Sequence, residues 1–244
     1  MNTEYHKYWS QNLNRDMEFK VYGHAGKPIL VFPTKAGTFH EYEDFGMVEV
    51  CRPFIDEGRI HLFAVDSMDA QSWLNEGVSM PDRVRRHNQY EAYLIHEVFP
   101  FIAGRCGNGR ITVTGCSFGA FHTVNFFLRH PDLVHTAIAL SGPFHPRFYI
   151  GDYMDEGVYF NAPIAFLPGL NDPWYLDWYR QSRLVICVGQ GYWEDKFLAD
   201  TLELKRILEE KQIPAWIDIW GHDVAHDWPW WRKMMPHFLK ELGY

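Results

Sequence analysis

Apolar and polar positions change period repeatedly along this chain. Residues 17–21 alternate between the two, as a half-exposed strand does, whereas residues 28–33 form a continuous apolar run typical of a sheet interior. The turn formers at 23–27 indicate that these two strands pair as a hairpin. Similar runs predict five further strands, at residues 60–65, 111–114, 136–140, 184–188 and 215–220.

Helical periodicity occupies the stretches between most of these strands. Residues 84–103 carry apolar side chains at three- and four-residue steps. A later helix presents one apolar face and is expected to end before Pro214; that face consists of Phe197, Thr201, Leu204 and Leu208. Strands that alternate with helices predict an α/β fold with a mostly parallel central sheet and helices on both faces. No linker or repeat divides the chain, so residues 1–244 are expected to form a single domain.

Composition narrows the classes of function. The chain is 47% hydrophobic, enough for a sizeable core, and its net charge of −8 argues against a nucleic-acid partner. No run approaches the roughly 18 apolar residues of a membrane helix, and the polar start lacks a signal-peptide core. We therefore expect a cytoplasmic protein with reduced thiols and no membrane partner. A homo-oligomer is compatible with the sequence. The four cysteines are scattered, at Cys51, Cys106, Cys116 and Cys187.

The most specific motif is Gly115-x-Ser117-x-Gly119, which lies between a β-branched strand and an apolar helix. This is the pattern of a nucleophile elbow, in which a strained turn lifts a serine hydroxyl above the sheet. The two glycines fit because strand and helix approach closely there. Ser117 is therefore a candidate nucleophile, and the alternative is an ordinary strand–loop–helix junction.

A serine nucleophile needs a base and an acid, which in an α/β-hydrolase sheet follow in the order serine, acid, histidine. The strand at 184–188 is followed by Glu194 and Asp195, and the strand at 215–220 by His222 and His226. We favour Glu194 as the acid, because Asp195 is suited to capping the following helix. We favour His226 as the base, since it lies in a loop that can reach back over the elbow.

The segment from His222 to His226 also permits a metal interpretation, since it resembles the H-E-x-x-H zinc motif with aspartate in place of glutamate. That chemistry requires both histidines on one face of a helix. Gly221 before the pair and Pro229 after it argue against a continuous helix, so no metal site is predicted.

Together these residues resemble the putative-esterase branch of the α/β-hydrolases, which includes esterase D, siderophore esterases and mycobacterial mycolyltransferases. The resemblance extends over nearly the whole chain. Its most specific element is the His-Asp-Trp-x-x-Trp signature at 226–231. The resemblance implies Ser117 as nucleophile, His226 as base and an acid at Glu194.

An elbow also requires an oxyanion hole. The backbone N–H of Phe118 is one expected donor, and the N–H of Lys35 or Ala36, after the strand at 28–33, is the expected second. The sequence lacks the His-Gly-Gly-Gly loop of many lipases.

Tryptophans flank the candidate acid and base. Trp193 and Trp228 are candidate substrate-binding residues, whereas Trp230 and Trp231 are expected to pack in the core. Trp73 and the segment 171–178 lie in long connections and are candidate parts of a lid.

The sequence thus predicts a serine carboxylesterase that hydrolyses a small or medium ester through an acyl-enzyme, without a cofactor. The alternatives are acyl transfer by the same residues and a non-catalytic binding module that keeps the fold.

Overall fold

In the computed structural model, which describes residues 1–147 and 149–244, eight strands form one sheet in the order β1-β2-β4-β3-β5-β6-β7-β8. β2 pairs antiparallel with both β1 and β4, and all the other neighbouring strands, β4 with β3 included, pair in parallel. The predicted α/β-hydrolase architecture is confirmed. The strands are β1 (Thr3–Ser10), β2 (Arg15–Tyr22), β3 (Lys27–Phe32), β4 (Ile60–Val65), β5 (Ile111–Cys116), β6 (Val134–Leu140), β7 (Arg183–Val188) and β8 (Trp216–Ile219).

The predicted hairpin between the first two apolar strands is wrong. β4 lies between β2 and β3 and pairs with both, while β2 forms its hairpin with β1, a strand that the apolar pattern missed. The connection crosses the start of β4: a Cβ at Gly26 would lie 2.3 Å from the carbonyl carbon of Arg59. The turn formers at 23–27 therefore allow a close crossing.

Helices cover both faces of the sheet. On one face α2 and α11 pack over a core that includes Met47, Ile138 and Phe238, and on the other face α3, α5 and α10 pack over Val113, Val124 and Leu204. The helices are α1 (Glu41–Asp44), α2 (Met47–Asp56), α3 (Met80–Tyr93), α4 (Phe99–Cys106), α5 (Phe118–Arg129), α6 (Arg147–Ile150), α7 (Glu156–Tyr159), α8 (Pro163–Phe166), α9 (Pro173–Arg180), α10 (Asp195–Glu210) and α11 (Trp228–Glu241), with short 3₁₀ turns at Asp69–Gln71 and Leu167–Gly169.

The two long predicted helices are present with different bounds. A π-helical stretch at Leu94–Val98 joins α3 to α4, so the helix predicted at 84–103 extends from Met80 to Cys106. Helix α10 ends at Glu210, and the chain turns at Gln212, whose φ is 54°. The turn thus precedes Pro214.

The segment 171–178 does not cover the candidate site, so its assignment to a lid is wrong. Most of it belongs to α9, where the Arg110 guanidinium lies 4.6 Å from the Trp178 ring centroid. Arg110 precedes β5, which places α9 at the amino end of that strand, opposite the elbow. Trp73 is fully buried against Phe121 and is not a lid residue either. Within the described ranges, no helix has both the length and the apolar character needed to cross a membrane.

Candidate active site

Ser117 lies at a sharp turn between β5 and α5, as the motif predicts. Its φ of 55° and ψ of −122° are strained for a residue with a side chain. A Cβ at Gly115 would lie 2.4 Å from the carbonyl carbon of Gly119, and a Cβ at Gly119 would lie 2.5 Å from the Phe32 carbonyl oxygen. Both positions therefore require glycine, and the spacing of the motif follows from this packing.

A histidine and an acid from two later strand ends meet this serine. His226 Nε2 lies 2.9 Å from Ser117 Oγ, and His226 Nδ1 lies 3.3 Å from Glu194 Oε2. A proton on Nδ1 faces the carboxylate, which leaves Nε2 free to accept the serine proton. The three side chains predicted together are thus adjacent, in the order that nucleophilic catalysis needs.

Glu194 is completely buried, and its other oxygen is also satisfied. The Ser141 hydroxyl donates to Glu194 Oε1 over 2.6 Å, and the Gly189 N–H donates to the same oxygen over 3.4 Å. Ser141 Oγ in turn accepts from Trp231 Nε1–H at 3.0 Å. A buried carboxylate with these partners is fixed in one orientation.

Sequence reasoning missed Ser141 and gave Trp231 only a packing role. Ser141 directly follows β6, so the carboxyl end of a predicted strand was the signal that could have found it.

The structure separates the two pairs of alternatives. Asp195 is exposed in the first turn of α10, while Glu194 occupies the N-cap position without capping through its side chain. The expectation that Asp195 caps this helix is therefore wrong. His222 is exposed on a turn, whereas His226 reaches the serine.

Two aromatic rings enclose the imidazole of His226. The Phe197 ring stacks on it with centroids 4.1 Å apart, and the Trp231 ring meets it edge-on at 4.9 Å. Phe197 was expected only as part of an apolar helix face. These contacts restrict the imidazole to one plane.

The loops that carry the acid and the base are joined to each other. Gly191 N–H donates to the Val224 carbonyl at 2.9 Å, and His226 N–H donates to the Tyr192 carbonyl at 3.0 Å. A Cβ at Gly189 would lie 2.2 Å from that same Val224 oxygen. Glu194 and His226 are thus positioned by one paired unit of backbone.

In the turn after β3, the backbone N–H groups on either side of Lys35 are both engaged by carboxylates. Thr34 N–H donates to Glu41 at 2.7 Å, Ala36 N–H to Asp69 at 3.1 Å, and Gly37 N–H to the Thr34 carbonyl at 2.9 Å. Lys35 lines the cavity together with Ser117. Of the two candidates for the second oxyanion donor, Ala36 is therefore already engaged, which leaves Lys35. Burial raises the pKa of the Glu41 carboxyl, which the hydrogen bonds from Thr34 partly offset.

A cavity of about 940 Å³ opens over Ser117. Trp193 lies at the edge of this cavity, where it is 68% exposed and has a φ of 68°. Trp228 is only 8% exposed, and its ring stacks on that of Phe45 with centroids 4.7 Å apart. The wall also includes aromatic side chains that the sequence analysis did not assign to the site, namely Tyr149, Tyr192, Phe197 and Trp231. The cavity suits an apolar or flat group.

The segment from His222 to His226 does not form the helix that the metal interpretation requires. The residues from 221 to 227 form turns and bends, so the two imidazoles do not share a helical face. No group of three or more potential ligand side chains comes together among the residues that the structure describes.

The chain is similar to several solved hydrolase structures and matches one protein family. The chain resembles a ferulic acid esterase (15% identity, TM-score 0.79, 99% of this chain and 97% of that one). It also resembles the S-formylglutathione hydrolase of Agrobacterium tumefaciens (14%, 0.76, 98% and 93%) and the fluorophosphonate-binding serine hydrolase F of Staphylococcus aureus (15%, 0.72, 99% and 98%). No curated protein sequence matches the chain. The profile of the Putative esterase family matches residues 10–242. The chain therefore belongs to the Putative esterase family and has the α/β-hydrolase fold.

Proposed function

We propose that this protein is a serine carboxylesterase that acts through Ser117, His226 and Glu194. The observation that carries the proposal is the 2.9 Å contact between His226 Nε2 and Ser117 Oγ, with a fully buried carboxylate behind the imidazole. Family membership supports ester hydrolysis as the reaction class.

In the first half-reaction His226 Nε2 takes the proton of Ser117 while Oγ attacks the ester carbonyl carbon. Glu194 holds the imidazole in the tautomer that can accept this proton and stabilises the imidazolium that forms. The alcohol leaves with the proton from His226, and Ser117 keeps the acyl group. Water, deprotonated by His226, then attacks the acyl carbon. The bond to Ser117 Oγ breaks, His226 returns the proton to Oγ, and the acid is released.

The negative charge on the tetrahedral intermediate requires donors fixed in advance. The N–H of Phe118, at the start of α5, and the N–H of Lys35 are the proposed donors. Fixed backbone dipoles stabilise such a charge without reorganising, and the loss of one typically costs about 10²–10³ in rate.

The cavity supports a small or medium ester with an apolar or aromatic portion. Trp193 and Trp228 are the proposed substrate-binding residues, with Trp193 at the edge and Trp228 in the wall. Two of the similar structures are named as a ferulic acid esterase and an S-formylglutathione hydrolase, so an aromatic acyl ester and a thioester should both be included among the substrates tested.

The first experiment compares the wild type with Ser117→Ala in the hydrolysis of p-nitrophenyl acetate. We expect the variant to lose about 10⁴-fold or more in kcat, because no other group can form the acyl-enzyme. Ser182→Ala, at the amino end of β7, is the matched serine control and should keep its rate. A fluorophosphonate probe should add its mass to the Ser117 peptide alone.

Equal hydrolysis by wild type and Ser117→Ala would refute the mechanism. If the probe labels Ser117 but the products carry the acyl group on an added alcohol, the reaction is acyl transfer. If Ser117 is neither labelled nor required, the fold serves as a binding module.

A further inference from the structure

A second buried pair of acid and imidazole lies behind the candidate site. His122 Nε2 is 2.8 Å from Asp69 Oδ1, and the two side chains are only 3% and 1% exposed. Neither residue lines the cavity over Ser117. A buried carboxylate is costly unless it is fully satisfied, so the use of its second oxygen is informative.

That second oxygen holds the turn after β3. Asp69 Oδ2 accepts the Ala36 N–H at 3.1 Å, and Ala36 has a φ of 54°, which a residue with a side chain seldom adopts. On the other side of Lys35, the Glu41 carboxylate accepts both the N–H and the hydroxyl of Thr34. The Lys35 peptide is therefore held between two carboxylates.

His122 connects this turn to the nucleophile helix. It lies on α5, one turn after Phe118, and the two rings meet edge-on at 4.9 Å. The Phe121 ring lies 5.4 Å from the imidazole centroid. Because a carboxylate only accepts, Nε2–H must donate to Asp69. A direct chain of contacts thus runs from α5 through His122 and Asp69 to Ala36.

We propose that Asp69 and His122 are positioning residues that hold the Lys35 N–H at a fixed distance from the Phe118 N–H. This inference rests on the proposed function, in which these two N–H groups bind the oxyanion. An oxyanion hole works only when its donors point to the charge before it forms. Helix α5 carries one donor directly and secures the other through this pair.

The test compares kcat, KM and the affinity for an alkyl boronic acid, whose serine adduct places an oxygen where the oxyanion forms. Asp69→Ala should lower kcat by about 10- to 100-fold, less than the complete loss of a donor, with KM within about twofold of wild type. The affinity for the boronic acid should fall by a similar factor. Hydrogen exchange at residues 34–37 should increase.

Asp69→Asn is the conservative variant. Its amide oxygen can still accept from Ala36, and its amide N–H can donate to the other tautomer of His122, so most of kcat should return. His122→Phe keeps a ring in the core but removes the N–H donor. Its kcat should lie between those of the wild type and Asp69→Ala.

Glu97→Ala is the matched control for a carboxylate that holds the backbone of a turn. Glu97 accepts Asn12 N–H in the β1–β2 turn at 3.1 Å and does not line the cavity. It should lower the free energy of unfolding and leave kcat unchanged.

A folded Asp69→Ala with wild-type kcat and boronate affinity would overturn the positioning role, and so would an equal loss of kcat in Glu97→Ala. If the wild type shows no hydrolysis that depends on Ser117, the proposed function fails and the positioning role fails with it. Hydrolysis that needs Ser117 but not Asp69 refutes the positioning role alone.

Discussion

Two buried acid–histidine pairs lie on opposite sides of Ser117, and they differ in what the imidazole can reach. His226 has its Nδ1 toward Glu194 and its Nε2 toward the serine. His122 has its Nε2 hydrogen-bonded to Asp69, and aromatic rings pack against its imidazole. In the proposed mechanism the same two residue types serve two purposes, since a proton carrier needs one nitrogen facing the substrate and a positioning residue does not.

The supporting backbone differs as well. Glu194 and His226 come from loops, whereas His122 is part of a fully buried stretch of α5. A loop can place a side chain over a cavity, and a buried helix can hold one in a constant place. Four predictions test this difference between the two pairs.

The largest effect is expected for His226→Ala. The variant should lose about 10⁴-fold or more in kcat, because Ser117 then lacks a base. Added imidazole should restore part of the rate, since the vacated space opens into the cavity. His222→Ala is the matched control, and equal losses in both variants would contradict the assignment of the base.

Glu194→Gln should cost about 10³–10⁴ in kcat, because an amide can stabilise the wrong tautomer of His226. Asp195→Asn, one residue further along and exposed, should keep its rate within about twofold. The measurement is kcat on one ester for both variants. A larger loss in Asp195→Asn would exchange the two assignments.

Lys35→Pro removes the N–H that the Asp69 pair is proposed to position. It should lower kcat by about 10²–10³, whereas Lys35→Ala keeps the N–H and should change kcat by less than about threefold. Circular dichroism should first show that both variants are folded. Equal rates in the two variants would exclude Lys35 as a donor.

The smallest effect on activity is expected at His87, whose titration near His122 changes stability. Burial is the main reason why the pKa of His87 falls to about 3, and its ring lies 5.6 Å from that of His122. Because the unfolded chain takes up a proton near pH 6.5 and the folded chain does not, His87 makes stability fall as the pH drops from 6.5 toward 3. The slope is up to about 1.4 kcal/mol per pH unit.

Urea unfolding of wild type and His87→Leu between pH 7 and 4 measures this slope. The variant should show a shallower loss of stability in that range. Parallel curves would mean that His87 does not titrate as described.

The sequence could predict features that depend on residues close together in the chain and on the order of the strands. The glycines around Ser117 follow from a close approach within a few residues, and Glu194 and His226 follow from counting predicted strand ends. Their order along the chain then restricted the choice to two acids and two histidines.

The features that sequence could not predict depend on contacts between distant segments. The place of β4 between β2 and β3 is set by pairing across the sheet, and β1 is an edge strand with mostly exposed side chains, so no apolar pattern marks it. Asp69 and His122 are 53 positions apart and become partners only through the fold. Asp195 was expected to cap α10, but capping depends on the residue at which the helix begins. Sequence spacing gives that residue only approximately.

The pairing of the two loops around Gly189 and Gly191 limits how this enzyme can acquire new specificities. A residue inserted between 189 and 194 would displace Glu194 and His226 together, because backbone hydrogen bonds join the two loops and the Val224 oxygen leaves no room for a side chain at Gly189. The first part of the connection between β6 and β7 is held to α10, where Asp200 accepts the N–H groups of Phe144 and His145, and further along the connection brings Tyr149 to the cavity wall. Loop exchange aimed at new substrates should therefore begin in that connection, where the shape of the wall can change while the reacting atoms keep their positions.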